Sequence, residues 1–359
     1  MGKKIAFIGP LPPPIGGLAL AIIRVQDIVA RKAPQYTLVN LDNAKKIQNA
    51  DLYKKKGFTE LLHFCKNIVQ LIKFVFKHKV AIANVFVVPN ISFLREAIYI
   101  LTFKLLAKKL VVHLHAKTSG DLFLHGWKLK VFTKIVGLAD VVFVLSEKHH
   151  KTFYAQHIDP KKLVVLENFV DYSEFENNIE DKQHKFLYIG RLSEKKGFQT
   201  LVDALIIGQE QFSGLQIEVI GAWENPEFQA SMMQKIESNN LTQFKFHGPQ
   251  MGEEKFKHFK QCSVFVFPSY FENSPIVLKE AIAAKMAIVS SDIIENKNLL
   301  EDFNNKVHFK QKDPEDLAKK LLLLYQDQQL VKQMMRESEG IKQYDILVAE
   351  QIITTTLAL

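Results

Sequence analysis

Glu272 and Glu280 stand eight residues apart in the segment Pro268-Ser-Tyr-Phe-Glu-Asn-Ser-Pro-Ile-Val-Leu-Lys-Glu280. The pattern predicts a strand end, a loop carrying one acid and a helix carrying the second. Ser274 suits the N-cap, and Pro275 suits the first helical position, where its missing N–H costs nothing. A helix N-terminus offers unpaired N–H groups to an anion. Two carboxylates flanking such a site could hold hydroxyls on either side of a phosphate. A second turn, Gly190-Arg-Leu-Ser-Glu-Lys-Lys-Gly197, supplies the opposite charge. Arg191 offers a planar fork and Lys196 a mobile point charge, so together they can clamp a diphosphate. Lys195 reads as a solvated basic residue of the same turn.

Two further features belong with these. Pro10-Leu-Pro-Pro-Pro-Ile-Gly-Gly17 follows the first strand and opens a helix. Gly16 and Gly17 would let the backbone approach a phosphate closely, although a Pro-rich loop ending in glycines is also simply a tight turn. The pattern is not Gly-x-Gly-x-x-Gly, so a nicotinamide site is not supported. His113 and His115 end another strand, and alternation puts both imidazoles on one side of it. No carboxylate or third histidine lies at ligand spacing, so a metal pair is disfavoured. His115, nearer the carboxyl end of the strand, is the candidate for hydrogen bonding to a sugar; His113 reads as a buried, satisfied histidine.

The elements that must position these residues alternate along the chain. Apolar runs at 5–8, 81–88, 110–114, 141–145 and 163–166 predict strands in the first half. Runs at 186–189, 217–220, 244–246, 264–267, 287–290 and 307–309 predict strands in the second. They are continuous rather than alternating in polarity, as buried parallel strands are. Helical patterns lie between them, at about 16–33, 58–79, 92–108 and 127–138, then 197–211, 226–239, 253–261, 275–285, 314–326 and 328–357. Two such series predict two doubly wound α/β domains. The boundaries expected are a first domain over 1–170, a linker over 171–183, a second domain over 184–329, and a C-terminal helix over 330–359 that could cross back to the first domain. The polar, acidic 171–183 stretch marks the division.

Composition narrows the function classes. The chain has 359 residues, 47% hydrophobic and 24% charged, with a formal net charge of +9. That charge favours anionic partners, but no nucleic-acid-binding module is visible and the lysines are dispersed. Two distant cysteines, Cys65 and Cys262, make neither a disulfide framework nor a metal site, and a reducing compartment fits. No uncharged apolar stretch approaches the length of a membrane span. The start has too short an apolar run for a signal peptide. The aromatic-rich, lysine-bearing stretches 58–79 and 92–109 could rest on an anionic membrane surface. They could equally be core-facing helices whose polar stripe meets water.

In order along the chain, Gly9-Pro…Pro-Ile-Gly-Gly17, His113-x-His115, Glu167-Asn-Phe-Val-Asp171, Gly190-Arg-Leu…Lys-Gly197 and the paired glutamates resemble the retaining family 4 glycosyltransferases of the GT-B fold. The similarity is strongest from Phe186 to Asp292, and is nearest to transferases of bacterial capsule, O-antigen and exopolysaccharide synthesis. It implies two Rossmann-like domains facing across a cleft, the first for the acceptor and the second for a nucleotide-sugar donor. By resemblance, Arg191 and Lys196 neutralise the donor diphosphate, with Gly190 at the head of their turn. Glu280 holds the donor ribose. Glu272 lies near the transferred sugar, with Asn273 and the backbone N–H groups of Ser274, Ile276 and Val277 around Pro275 beside it. Gly16 and Gly17 match the phosphate loop, His115 the histidine beside the sugar, and Asn168 the asparagine of the usual Asn-Gly-Val-Asp signature.

Three departures are visible: Phe169 replaces the glycine of that signature, Gly221-Ala-Trp-Glu224 replaces a Gly-x-Gly, and Asn273-Ser-Pro275 replaces Gly-Phe-Gly. No Asp-x-Asp stands at a strand end where a divalent metal would be held, so no metal cofactor is expected. The expected partners are a nucleotide-sugar donor and a saccharide or lipid-linked saccharide acceptor. The expected place is the cytoplasm, with peripheral contact at the inner face of the cell membrane. A nucleotide-sugar epimerase and a non-catalytic nucleotide-sugar-binding protein are the alternatives the same features leave open.

Overall fold

The computed structural model describes residues 3–12, 17–44, 58–115, 122–147, 151–338 and 342–359; of 58–61 only the backbone is described. The chain divides into two compact units. Unit 1 is Met1–Asn168 with Val348–Leu359, and unit 2 is Phe169–Leu347.

Unit 1 runs β1 (Lys4–Gly9), α1 (Gly17–Lys32), β2 (Thr37–Asp42), α2 (Phe58–Lys77), β3 (Ile82–Val87), α3 (Phe93–Leu106), β4 (Lys109–Leu114), α4 (Gly126–Val136), β5 (Val141–Val144), the single turn α5 (Thr152–Tyr154) and β6 (Leu163–Val165). The strands are parallel, in the order β2-β1-β3-β4-β5-β6. All six residues of β3 are buried, because helices cover both faces of the sheet. The edge strand β2 was not expected. Its Thr-Leu-Val-Asn-Leu-Asp is half-exposed and lacks the continuous apolar run that marks the others.

Unit 2 runs β7 (Gln183–Ile189), α6 (Phe198–Ile207), β8 (Ile217–Ile220), α7 (Pro226–Ser238), β9 (Phe244–Phe246), α8 (Gly252–Gln261), β10 (Cys262–Phe267), α9 (Ile276–Ala283), β11 (Ala287–Ser291), α10 (Ile294–Leu299), β12 (Lys306–Phe309), α11 (Pro314–Gln326), α12 (Gln328–Glu337) and the start of α13 (Ile346–Leu357). Its strands are parallel in the order β12-β11-β10-β7-β8-β9. The unit buries one cluster on each face of its sheet. One includes Phe198, Leu201 and Val266; the other includes Phe265, Leu278 and Ile288.

Two expectations need correcting. The 171–183 stretch is no free linker: it forms two short 3-10 turns, Tyr172–Phe175 and Ile179–Asp181, whose Tyr172, Phe175 and Ile179 are buried in unit 2. These apolar residues, spaced three and four apart, anchor an otherwise polar segment. The helical pattern over 328–357 is two helices, α12 and α13, not one. From Val348 onward α13 counts with unit 1. There Glu350, buried, meets Arg31 at 2.6 Å and Lys32 at 2.9 Å at the end of α1, and Lys109 donates to Thr356 O at 2.7 Å.

In each sheet the chain starts on an interior strand, winds one way, then returns to wind the other. The reversal falls between β1 and β3 in unit 1 and between β7 and β10 in unit 2. Ligands of open α/β sheets bind outside the carboxyl ends of the strands at such a point. The loops leaving β7 and β10 are 190–197 and 268–275, the two segments singled out by their chemistry.

Candidate functional site

The loops after β7 and β10 are locked together by close backbone approach. Gly197 has φ +70°, and a Cβ there would stand 1.9 Å from Pro268 O, so only glycine fits. Tyr270 N donates to Lys195 O at 3.0 Å, and the Thr200 and Tyr270 hydroxyls share a hydrogen bond. The consequence is an ion pair across the two loops: Lys196 Nζ lies 2.5 Å from Glu272 Oε1. The Glu272 side chain is 9% exposed and that of Lys196 34%. Glu272 is thus buried with its charge compensated, while Lys196 keeps access to solvent.

Arg191 is exposed, and its guanidinium has no partner among the described residues. Its carbonyl accepts from the Tyr188 hydroxyl at 3.0 Å, a phenol whose pKa burial drives far up, so it remains a donor. Gly190 is held on the other side. Its N–H donates to Ile220 O at 3.0 Å, and a Cβ on Gly221 (φ +154°) would stand 1.8 Å from Gly190 O. The Ala-Trp that follows Gly221 has a structural reason as well. Leu192 N donates to Ala222 O at 2.9 Å, and Trp223 packs against Phe198, Phe228 and Phe246.

The start of α9 differs from expectation. Ser274 is not its N-cap. Pro275 occupies that position in an extended conformation, without a side-chain cap, and the helix begins at Ile276. The shift is one residue, because proline here precedes the first helical turn rather than filling it. The first turn therefore starts with the N–H groups of Ile276 and Val277 unpaired within the helix. Asn273 sits just ahead, and its Oδ1 is buried without a partner among the described residues.

Glu280, on the second turn of α9, is buried, and Lys255 Nζ of α8 lies 2.7 Å from its Oε1. Lys255 was missed in the sequence. In Gly252-Glu-Glu-Lys-Phe-Lys-His-Phe259 it reads as one of several surface lysines of an amphipathic helix, and only the fold shows which carboxylate it faces.

In unit 1, Gly17 begins α1 and is exposed; Gly16 lies outside the described residues. His113 is buried, stacked on Phe86 at 4.2 Å, with Nε2 3.1 Å from Asn84 Oδ1. Burial, then the charge of His115, hold its pKa well below the usual value. The His115 ring is half-buried and stacks on the same Phe86 ring at 5.8 Å, while the backbone N–H of His115 donates to Val87 O at 2.9 Å.

Among the described residues one group could hold a metal ion. Ligand atoms of Glu218 (β8), His247 and His258 (α8) lie within 4.8 Å of one another. Lys185 stands 3.8 Å from Glu218. Burial works against the Glu218 carboxylate, but the His247 hydrogen bond and the charges of Lys245 and Lys185 outweigh it and lower its pKa. The Glu218 carboxylate is already paired with Lys185 and with His247.

Comparison with known proteins gives a consistent picture. The sequence model described as "Glycosyl transferases group 1" matches residues 170–340. A capsular polysaccharide biosynthesis glycosyltransferase, CapH of Staphylococcus aureus, is 22% identical over 221 residues, 60% of this chain and 62% of CapH. An amylovoran biosynthesis glycosyltransferase, AmsD of Erwinia amylovora, is 26% identical over 196 residues, 51% of this chain and 53% of AmsD. The chain thus spans less than two thirds of either relative. Two solved structures superpose over nearly the whole chain. Anabaena HepE, in complex with UDP and glucose, gives a TM-score of 0.73 at 18% identity, covering 99% of both chains. Sucrose-phosphate synthase of Thermosynechococcus elongatus gives 0.72 at 13% identity, covering 99% of this chain and 98% of that one. Residues 170–340 thus match the group 1 glycosyl transferase family, and the two α/β units of the chain have the GT-B fold.

Proposed function

We propose that the chain transfers a sugar from a nucleoside-diphosphate donor to a saccharide acceptor, with retention of anomeric configuration, in surface polysaccharide biosynthesis. The observation that carries this reading is the Lys196–Glu272 pair beside exposed Arg191 at the β7/β10 switch point. In this reading Arg191 and Lys196, which share the loop after β7, supply cations for a diphosphate, and Glu272, which faces Lys196, supplies an acid for sugar hydroxyls, where an open α/β sheet takes a ligand. The polysaccharide-biosynthesis names of CapH and AmsD, and the UDP and glucose bound to HepE, support the same class.

In this mechanism the acceptor hydroxyl attacks the anomeric carbon from the face the diphosphate leaves. The carbon–oxygen bond to the diphosphate breaks, and the departing phosphate oxygen takes the acceptor proton. Arg191 and Lys196 stabilise the charge that builds on the phosphate oxygens. Glu280 orients the ribose, with Lys255 fixing its carboxylate. Glu272 and Asn273 take sugar hydroxyls. Incubation with donor and acceptor, followed by NMR of the product, tests the reading. The product should keep the donor's anomeric configuration; inversion, or epimerised donor without transfer, would contradict it.

The reaction needs no divalent metal in this scheme, since side-chain cations meet the diphosphate charge. Turnover should be unchanged in EDTA. Loss of activity that added Mn²⁺ restores would show that a metal shares the role.

We also propose that the acceptor is lipid-linked and that unit 1 rests on the inner face of an anionic membrane. Among the described residues no helix is long and apolar enough to cross a bilayer. On α2, Leu71 and Phe74 are buried, but Val69, Ile72 and Phe76 are exposed, Phe76 at 89%; on α3, Leu101 and Leu105 are exposed, Leu105 at 85%. Lys66, Lys73, Lys77 and Lys104 lie on the same helices. Apolar groups interleaved with lysines suit an interfacial helix. Flotation with vesicles containing anionic lipid should carry the protein at low salt and release it at high salt. Protein left at the bottom of the gradient at low salt would remove the idea.

A further inference from the structure

The unit 1 switch point, between β1 and β3, carries its own polar cluster. Asn43 follows β2 and ties its N–H to Gly9 O, at the end of β1, at 3.2 Å. Its side chain is buried, and neither Nδ2 nor Oδ1 has a partner among the described residues. Arg95, in the first turn of α3, reaches Asn43 O with Nη1 at 3.4 Å. Its side chain is 13% exposed, and its Nε is buried without a partner.

Glu96 compensates that guanidinium weakly, from 3.6 Å. Its own carboxylate is committed to Val88 N at 3.0 Å and to the Ser92 hydroxyl at 2.8 Å. Tyr99 lies one turn further along α3, fully buried, its hydroxyl also without a partner among the described residues. Burial pushes that phenol up to about 12, and the charges of Arg95 and Glu96 both act on it, so it stands beside them as a donor. His63 Nε2 meets the same Asn43 carbonyl at 3.3 Å.

Buried polar groups are paired in nearly all native structures, and each exception calls for an explanation. Here the exceptions fall together: the N–H and the carbonyl oxygen of an amide, a guanidinium N–H and a phenol O–H, three donor groups to one acceptor, with one formal positive charge only partly balanced. They match an acceptor-rich anion better than a neutral hydroxyl, because the guanidinium fork pairs with the oxygens of a carboxylate or phosphate. We propose that Arg95, Asn43 and Tyr99 form a subsite in unit 1 for an anionic group of the acceptor, either the carboxylate of an acidic sugar or the phosphate of a lipid-linked one. This deepens the transferase reading and rests on it for the word acceptor; the anion site itself does not.

Calorimetry on the full chain tests the proposal with D-glucuronate, farnesyl diphosphate and, as neutral control, glucose. One of the two anions should bind, which names the source, and glucose should not. Arg95→Gln should weaken that binding about tenfold or more, the loss expected for one charged hydrogen bond, and Asn43→Ala should weaken it in the same direction. Both variants should keep the wild-type affinity for the cognate nucleoside diphosphate, which shows that they fold and that unit 2 is intact. The subsite is refuted if neither anion binds, if both folded variants bind it as tightly as wild type, or if the nucleoside diphosphate displaces it competitively. Anion binding by a protein that binds no nucleotide would leave the subsite standing and remove the transferase reading instead.

Discussion

Arg191→Ala should lower kcat by about 10²–10³ while the protein folds as before. The two halves of that expectation have separate causes. The guanidinium is exposed and has no partner among the described residues, so its removal breaks no internal contact and should shift stability by no more than about 0.5 kcal/mol. Its proposed work begins only when charge develops on a leaving phosphate, and a preorganised donor of that kind acts on the transition state. Lys196→Ala should lose turnover comparably, but it is the less clean test. It would also strip the buried Glu272 of the cation 2.5 Å away, and a buried charge left without its partner destabilises. Steady-state kinetics with thermal melting of both variants separates the effects. Wild-type turnover in a folded Arg191→Ala protein would remove the arginine from the mechanism.

The second large effect concerns a residue that touches no ligand. Gly197→Ala should destabilise unit 2 by about 2–5 kcal/mol, combining the cost of a left-handed non-glycine residue with that of an overpacked contact. The backbone is at φ +70°, and the new methyl would stand 1.9 Å from the Pro268 carbonyl oxygen. Relief requires the 190–197 and 268–275 loops to part, which would carry Lys196 away from Glu272. Activity should therefore fall even at temperatures where the variant remains folded. Denaturation monitored alongside turnover checks this: unchanged stability and unchanged rate would mean that the close approach of the loops is not what sets the site.

Most of this geometry follows from patterns that a single sequence displays. Buried parallel strands announce themselves as apolar runs, so five strands of unit 1 and all six of unit 2 were legible. The strand that was not, β2, is an edge strand whose half-exposed Thr-Leu-Val-Asn-Leu-Asp carries too little burial signal. Turn chemistry marked the site: Gly197 and Pro268 read as punctuation in sequence, and as a backbone contact in the fold.

What stayed hidden depends on distance in three dimensions. Nothing about Lys255 distinguishes it from Lys257 two residues on, yet the first faces Glu280 and the second pairs with exposed Glu254. Arg95 and Asn43 are 52 positions apart, and neither sits in a pattern that chemistry alone would single out. The 171–183 stretch misled for a related reason. Its polar composition suggested a linker, while three buried apolar side chains decide its packing.

The central claim is that Arg191 and Lys196 meet a pyrophosphate in unit 2, with Glu272 held by Lys196 on the side of the attached sugar. It is tested most directly by comparing affinities for UDP, GDP, ADP and CDP with those for the matching nucleosides, in wild type and in Arg191→Ala. For the cognate base, wild type should bind the diphosphate at least about 10²-fold more tightly than the nucleoside, as two charge-assisted contacts would give, and the variant should lose about tenfold or more of that preference. Equal affinity for nucleoside and diphosphate in the wild-type protein, or a preference untouched by the substitution, would contradict the account.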